Sequence, residues 1–250
     1  MSKRIGSVPY LNAVPLTCGI EQETEFVVPS KLADILRAGG LDAALVSVTE
    51  VIFNDGYDVL DGVAVASRGA VKSVFLAHRQ PLEEIEIIYC DTASLTSVNL
   101  LRVLLAERGL RPAFEPLPDY PRAELLPNVL LIGNPGIDFL RAPHDHAVWD
   151  LGAAWGELTG LPFVFAVWAL RRGHHDAALH AKLHAAKANG LALLEETIAD
   201  HPDYDLDFRR AYLGGHVKYD LGSDEKAGLA RFIALLKKHN GQPVHDLVFA

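Results

Sequence analysis

The sequence predicts an α/β protein of two lobes, each a mainly parallel sheet flanked by helices, with a ligand cleft between them. Three observations carry this. Short apolar runs alternate with helical periods over residues 5–53, the pattern of β-loop-α units with crossover helices. A polar stretch at residues 79–84, containing Pro81, separates that series from a second one that restarts with the apolar run 85–89. A nearly unbroken apolar run over residues 163–170 then leads the chain back toward its first part. On this reading residues 1–82 with 172–250 make one lobe and residues 83–171 the other.

The first strand, residues 5–8, is stopped by Pro9, which has no N–H to give a sheet ladder. Tyr10, Leu11 and Asn12 follow between Pro9 and Pro15, which restrict the backbone on both sides and hold one aromatic and one amide in a pre-set loop. Open α/β sheets place ligands at such strand ends. A plain strand-to-helix connection with a capping Asn reads equally well from the residues alone. Residues 25–28 form a second strand, a helix runs from Ser30 to Gly39 and Gly40, and residues 43–46 form a third, buried strand. Ser47, Val48, Thr49 and Glu50 have the spacing of a capping box. Residues 59–66 and 71–77 are then predicted as adjacent strands around a turn at Gly69, with Ser73 inside the second.

Strand 85–89 runs into Asp91-Thr92-Ala93-Ser94-Leu95-Thr96-Ser97, and helical periodicity continues to Gly109. Free backbone N–H groups, the positive end of the helix dipole and hydroxyls converge at such a start, which suits an anion. Simple N-capping is the competing reading, but it needs one serine, and this stretch has Thr92, Ser94, Thr96 and Ser97. Residues 129–132 form another strand, ending in Gly133 and Asn134, again a glycine and an amide at a strand's carboxyl end. In the compact segment that follows, Trp155 comes five residues after Asp150 and is not stacked above it. A core Trp beside a capping Asp is therefore the default there, against a role in walling the cleft. Helices are predicted over residues 174–199, 204–213 and 223–239.

Composition narrows the function. A hydrophobic fraction of 50% over 250 residues fills real cores. The net charge of −9 argues against nucleic-acid or anionic-membrane partners, so an anionic ligand must find positive potential in backbone N–H groups and helix N-termini. Cys18 and Cys90 lack zinc-like spacing and are expected to be reduced, buried thiols. No export leader and no apolar run of membrane-spanning length is seen, which points to a cytoplasmic location. His180 and His184 lie one helical turn apart near His174 and His175, and His144 lies near His146, but no HExxH order accompanies them and no metal is expected. Nucleotide loops and serine-hydrolase elbows are absent from the sequence, and no cofactor is expected.

One wider pattern remains. GSVPYLNAVPL at residues 6–16, VKSVFL at 71–76, the Ser-x-Thr-Ser helix start within 92–105, LLIGN at 130–134, the segment 150–163, and AYLGGHVKYDLG followed by GLARF occur in this order across nearly the whole chain. In these pieces the chain resembles the chorismate dehydratases of the futalosine route to menaquinone, which share the two-lobed fold of type II periplasmic binding proteins. The resemblance implies loss of water from chorismate to give 3-[(1-carboxyvinyl)oxy]benzoate. Aromatisation drives that reaction, so the protein needs mainly to orient the substrate, stabilise developing charge and help hydroxide leave.

The resemblance further implies that Asn12 and Ser73 are catalytic, facing the ring from the first lobe, while Ser94, Thr96 and Ser97 bind a carboxylate from the second. Tyr10, Leu11, Asn134 and Asp150 are expected to contribute to substrate binding. An amide is no ordinary base, so the substrate's own enolpyruvyl carboxylate is the expected proton acceptor, held in place by Asn12. Relatives usually carry Asp where this chain has Asn134, which removes an ionised group from that spot. A non-catalytic small-acid receptor would share the fold. The naphthoate-forming enzyme later in the same route has a Ser-Pro-Cys-Pro-Asn loop that this chain lacks.

Overall fold

A computed structural model describes residues 4–91, 94–173 and 176–250, which form two five-stranded sheets. β1 (Ile5–Ser7) leads through a 3-10 turn at Leu11–Leu16 to β2 (Thr24–Phe26), α1 (Pro29–Arg37), β3 (Ala43–Ser47), α2 (Val48–Phe53) and β4 (Tyr57–Ser67). Next come β5 (Val74–His78), β6 (Ile87–Cys90), α3 (Leu95–Glu107), β7 (Ala113–Pro116), β8 (Asn128–Ile132), α4 (Gly133–Arg141), β9 (Ala147–Asp150) and α5 (Leu151–Thr159). β10 (Phe163–Arg171) is followed by α6 (Ala177–Ala192), α7 (Leu194–Asp200), α8 (Leu206–Ala211), a π-turn at Tyr212–His216, and α9 (Ser223–His239). The long helix expected over 174–199 is thus two helices, parted at Leu193.

The first sheet has the order β2-β1-β3-β10-β4 and the second β7-β6-β8-β5-β9. Each is mixed. β2-β1-β3 and β7-β6-β8 are parallel, as the β-loop-α pattern requires, while β10 and β5 pair antiparallel with both their neighbours. β5 and β10 are also the strands by which the chain passes from one sheet to the other. Residues 74–78, expected in the first lobe, therefore pair in the second sheet, and residues 163–171, expected in the second, pair in the first. The expected adjacency of 59–66 and 71–77 fails for the same reason: the turn at Gly69 (φ +83°) opens a crossing, not a hairpin. Ser73 lies on that crossing, just before β5.

The capping box expected at Ser47 is not made either. Ser47 Oγ meets Ser94 Oγ at 3.1 Å, and the buried Glu50 carboxylate accepts from Arg37 Nε at 2.8 Å and Nη2 at 2.6 Å. An apolar core shared by both sheets includes Val46, Leu101, Leu130 and Leu151. At one end of it Trp155, fully buried, meets Phe163 and Phe232 edge-on at 5.2 and 5.9 Å between ring centroids and donates its indole N–H to Pro162 O at 3.1 Å. Trp155 is a core residue that secures the return crossing; it does not wall a cleft.

Candidate functional site

Strand ends from both sheets surround one cavity of about 610 Å³, counting its open mouth. Leu45, Val65, Val71, Val74, Ile132 and Phe165 give it apolar walls. Its polar groups sit largely at helix starts. Ser47 immediately precedes α2, Ser94 caps α3 with Ser97 in the first turn, Gly133 opens α4, and Asn12 lies in the first turn of the 3-10 segment. No Lys, Arg, Asp or Glu lines the cavity among the described residues. Any positive potential this lining offers an anion comes from helix starts and their dipoles, not from side-chain cations.

Ser94 does two things at once. Its Oγ accepts from the Ser97 N–H at 3.4 Å, so the capping reading is correct, and it also lines the cavity with Ser97. Tyr10 lies over Gly133, where a Cβ would stand 3.2 Å from the tyrosine ring and where φ is +57°. Only a glycine meets both conditions easily. Burial, with the Asp91 charge adding to it, pushes the Tyr10 phenol up to about 12, so it enters neutral chemistry as a donor. Tyr120 Oη donates to Asp91 Oδ2 at 2.6 Å.

Ser73 Oγ accepts a hydrogen bond of 2.7 Å from Tyr212 Oη, and the Asn12 amide lies beside the same phenol. The Tyr212 phenol is fully buried, and desolvation pushes it up to about 12 in spite of these two partners. Asn12, Ser73, Tyr10, Ser94 and Ser97 thus share one cavity.

Four of the expected binding residues do not line it. Leu11 is a core side chain, and its N–H donates to Asn134 Oδ1 at 3.4 Å, so Asn134 ties the start of α4 to the 10–12 loop. Thr96 is buried against α2, where its Oγ1 accepts from the Thr49 N–H at 3.0 Å and meets Thr49 Oγ1 at 3.1 Å. Asp150 caps α5 through the Ala153 N–H at 3.0 Å and accepts from the N–H groups of Val71 (3.1 Å) and Lys72 (2.8 Å). Lys72 has φ +65°, a left-handed conformation unfavourable for a side chain bearing a Cβ, and the carboxylate holds it there next to Ser73. Asp150→Ala is accordingly expected to cost about 1–3 kcal/mol of stability by freeing the backbone next to Ser73, which thermal unfolding checks.

Thr92, His174 and His175 lie outside the described residues. Among the described residues no group of three or more His, Cys, Asp or Glu could hold a metal, and no helix is long and apolar enough to cross a membrane. His144 stacks on Phe139 at 4.8 Å, and His146 meets the same ring edge-on at 5.4 Å. Cys90 is buried, and Cys18 is partly exposed where burial was expected. Tyr212, Ser47 and Phe165 went unread in the sequence. The signal for Tyr212 was the irregular Tyr-Leu-Gly-Gly run at the end of a helical stretch; Ser47 was masked by its own capping pattern.

A family described as menaquinone biosynthesis matches residues 3–238. A chorismate dehydratase of Thermus thermophilus is 33% identical over 93% of this chain and 94% of its own length, and one of Campylobacter jejuni is 26% identical over 92% of each. Among solved structures, protein AF1704 from Archaeoglobus fulgidus superposes with a TM-score of 0.71 at 16% identity, covering 94% of this chain and 97% of that one. The alkanesulfonate-binding protein SsuA from Xanthomonas axonopodis, bound to MOPS, gives 0.69 at 16% identity, covering 96% and 94%. These likenesses show the two-sheet fold of solute-binding proteins.

Proposed function

This chain belongs to the menaquinone-biosynthesis family, and we propose from that premise that it acts as a hydro-lyase, taking water from chorismate to leave 3-[(1-carboxyvinyl)oxy]benzoate. It is an enzyme acting on chorismate, as its curated relatives are. The observation that carries the mechanistic reading is a cavity with apolar walls and only neutral donors, gathered at helix starts from both sheets. Val65, Val71, Ile132 and Phe165 offer apolar surface to the ring, and its two carboxylates need the remaining polar groups.

In the reaction the C3–H bond of the substrate breaks, its electron pair becomes a ring double bond, and the C4–O bond breaks with loss of hydroxide. Proton and hydroxide together are the water released, and nothing is oxidised or reduced. Asn12 holds the enolpyruvyl carboxylate over C3, where that carboxylate takes the proton. Ser73 donates to the departing hydroxyl, because its Oγ already accepts from Tyr212 and its own proton is left for the ligand. Ser94, Ser97 and the N–H groups opening α3 take the ring carboxylate. Thr96 and Asp150 act indirectly, the first by joining α2 to α3 and the second by setting the 71–73 backbone.

Incubation of the purified protein with chorismate tests this reading. The expected result is loss of the chorismate ultraviolet absorbance together with a product lighter by one water. Chorismate that binds but is recovered unchanged would instead make the chain a receptor.

A further inference from the structure

Tyr212 opens the π-turn Tyr212–His216, and such turns are frequent at functional sites. Its ring is 1% exposed and stacks on Phe208 at 5.5 Å with an interplanar angle of 18°. The same turn ends with His216, whose Nδ1 lies 2.9 Å from Ala70 O. Both ends of the turn therefore rest on the crossing that carries Ser73. The phenol does not line the cavity; it sits behind the two residues that do, at 2.7 Å from Ser73 Oγ and beside the Asn12 amide.

We propose that Tyr212 is a positioning residue that turns the Ser73 proton toward the departing hydroxyl. A serine hydroxyl has one proton and can accept at its lone pairs. Once Tyr212 donates to Ser73 Oγ, the serine proton points away from the phenol, and Ser73 lines the cavity. The charged group that acts on Tyr212 is the Asp150 carboxylate, which opposes formation of a phenolate, and the Tyr204 and Tyr219 phenols feel Tyr212 in turn. Tyr212 remains a donor throughout the turnover. The inference rests on the reading that Ser73 acts on the substrate.

Tyr212→Phe keeps the ring and removes the hydroxyl. Its kcat is expected to fall by roughly 10²-fold with KM changed by less than about threefold, as for loss of a positioned proton donor. Placed on Ser73→Ala, the same substitution is expected to cause at most about a threefold further loss, since coupled residues are not additive. A full second 10²-fold loss in that background, or a wild-type kcat for Tyr212→Phe, would overturn the proposal. A wild-type kcat for Ser73→Ala would instead remove the functional reading on which it rests. Should Tyr212→Phe fail to fold, a trifluorotyrosine at position 212 keeps the shape and ionises at lower pH. Ionisation turns the phenol from donor to acceptor and draws the Ser73 proton out of the cavity, so kcat is expected to fall at an alkaline pH where the wild type stays level. Superimposable pH profiles would overturn the proposal by that route.

Discussion

Asn12→Ala is expected to lower kcat by roughly 10²- to 10³-fold, the scale seen when one pre-aimed donor is removed from an active site. The backbone of the 3-10 turn does not depend on this side chain. Leu11, Ala13 and Leu16 bury the turn, and the Ala13 N–H bonds to Tyr10 O at 2.9 Å without it. The melting temperature should therefore stay within a few degrees, separating a chemical effect from a folding one. Turnover of chorismate at saturation, measured beside thermal unfolding, checks the pair. An Asn12→Ala enzyme with the wild-type kcat would take the amide out of the mechanism.

Gly190→Ala carries the largest stability effect. A Cβ at Gly190 of α6 would stand 1.9 Å from Pro15 O and 2.7 Å from Pro15 Cα, so the obstruction is backbone and cannot rotate away. The helix or the 3-10 turn must move. Overpacking of this kind costs about 3 kcal/mol, which for a chain of this length lowers the melting point by roughly 6–12 °C. Because Pro15 belongs to the turn that carries Asn12, kcat should fall as well. A melting point within about 1 °C of wild type would show that α6 does not press on that turn as described.

Much of the site is legible in the sequence for local reasons. Two prolines around Tyr10-Leu11-Asn12 mark a fixed loop, and a serine in the apolar run 71–77 stands out as Ser73. The hydroxyl cluster before α3 is legible too, but its members are not equivalent. Ser94 and Ser97 are three residues apart and share a helix face, whereas Thr96 projects nearly opposite Ser94 and reaches α2 instead. Helical period alone could have excluded Thr96. Asn134 and Asp150 look like ligand groups because a polar side chain at a strand end serves a tie or a cap as readily as a substrate.

The remainder needed tertiary structure. Tyr212 meets Ser73 across 139 positions of sequence, and no local pattern announces a contact of that range. The crossing at residues 68–73 resembles a hairpin turn because a glycine with positive φ serves both, and only the pairing of β5 with β8 and β9 decides between them. The mixed sheets follow from the same crossing strands, which periodicity does not orient.

The central claim is that a doubly charged acid is held by neutral donors at converging helix starts, with no cation in contact. A crystal structure with 3-[(1-carboxyvinyl)oxy]benzoate bound tests it most directly. The account predicts one carboxylate within about 2.7–3.1 Å of donors at Ser94 and Ser97 and the other on the Asn12 amide, with the ring against Phe165. A carboxylate paired with a lysine or arginine, or a product lodged outside the space between Asn12 and Ser94, would contradict it.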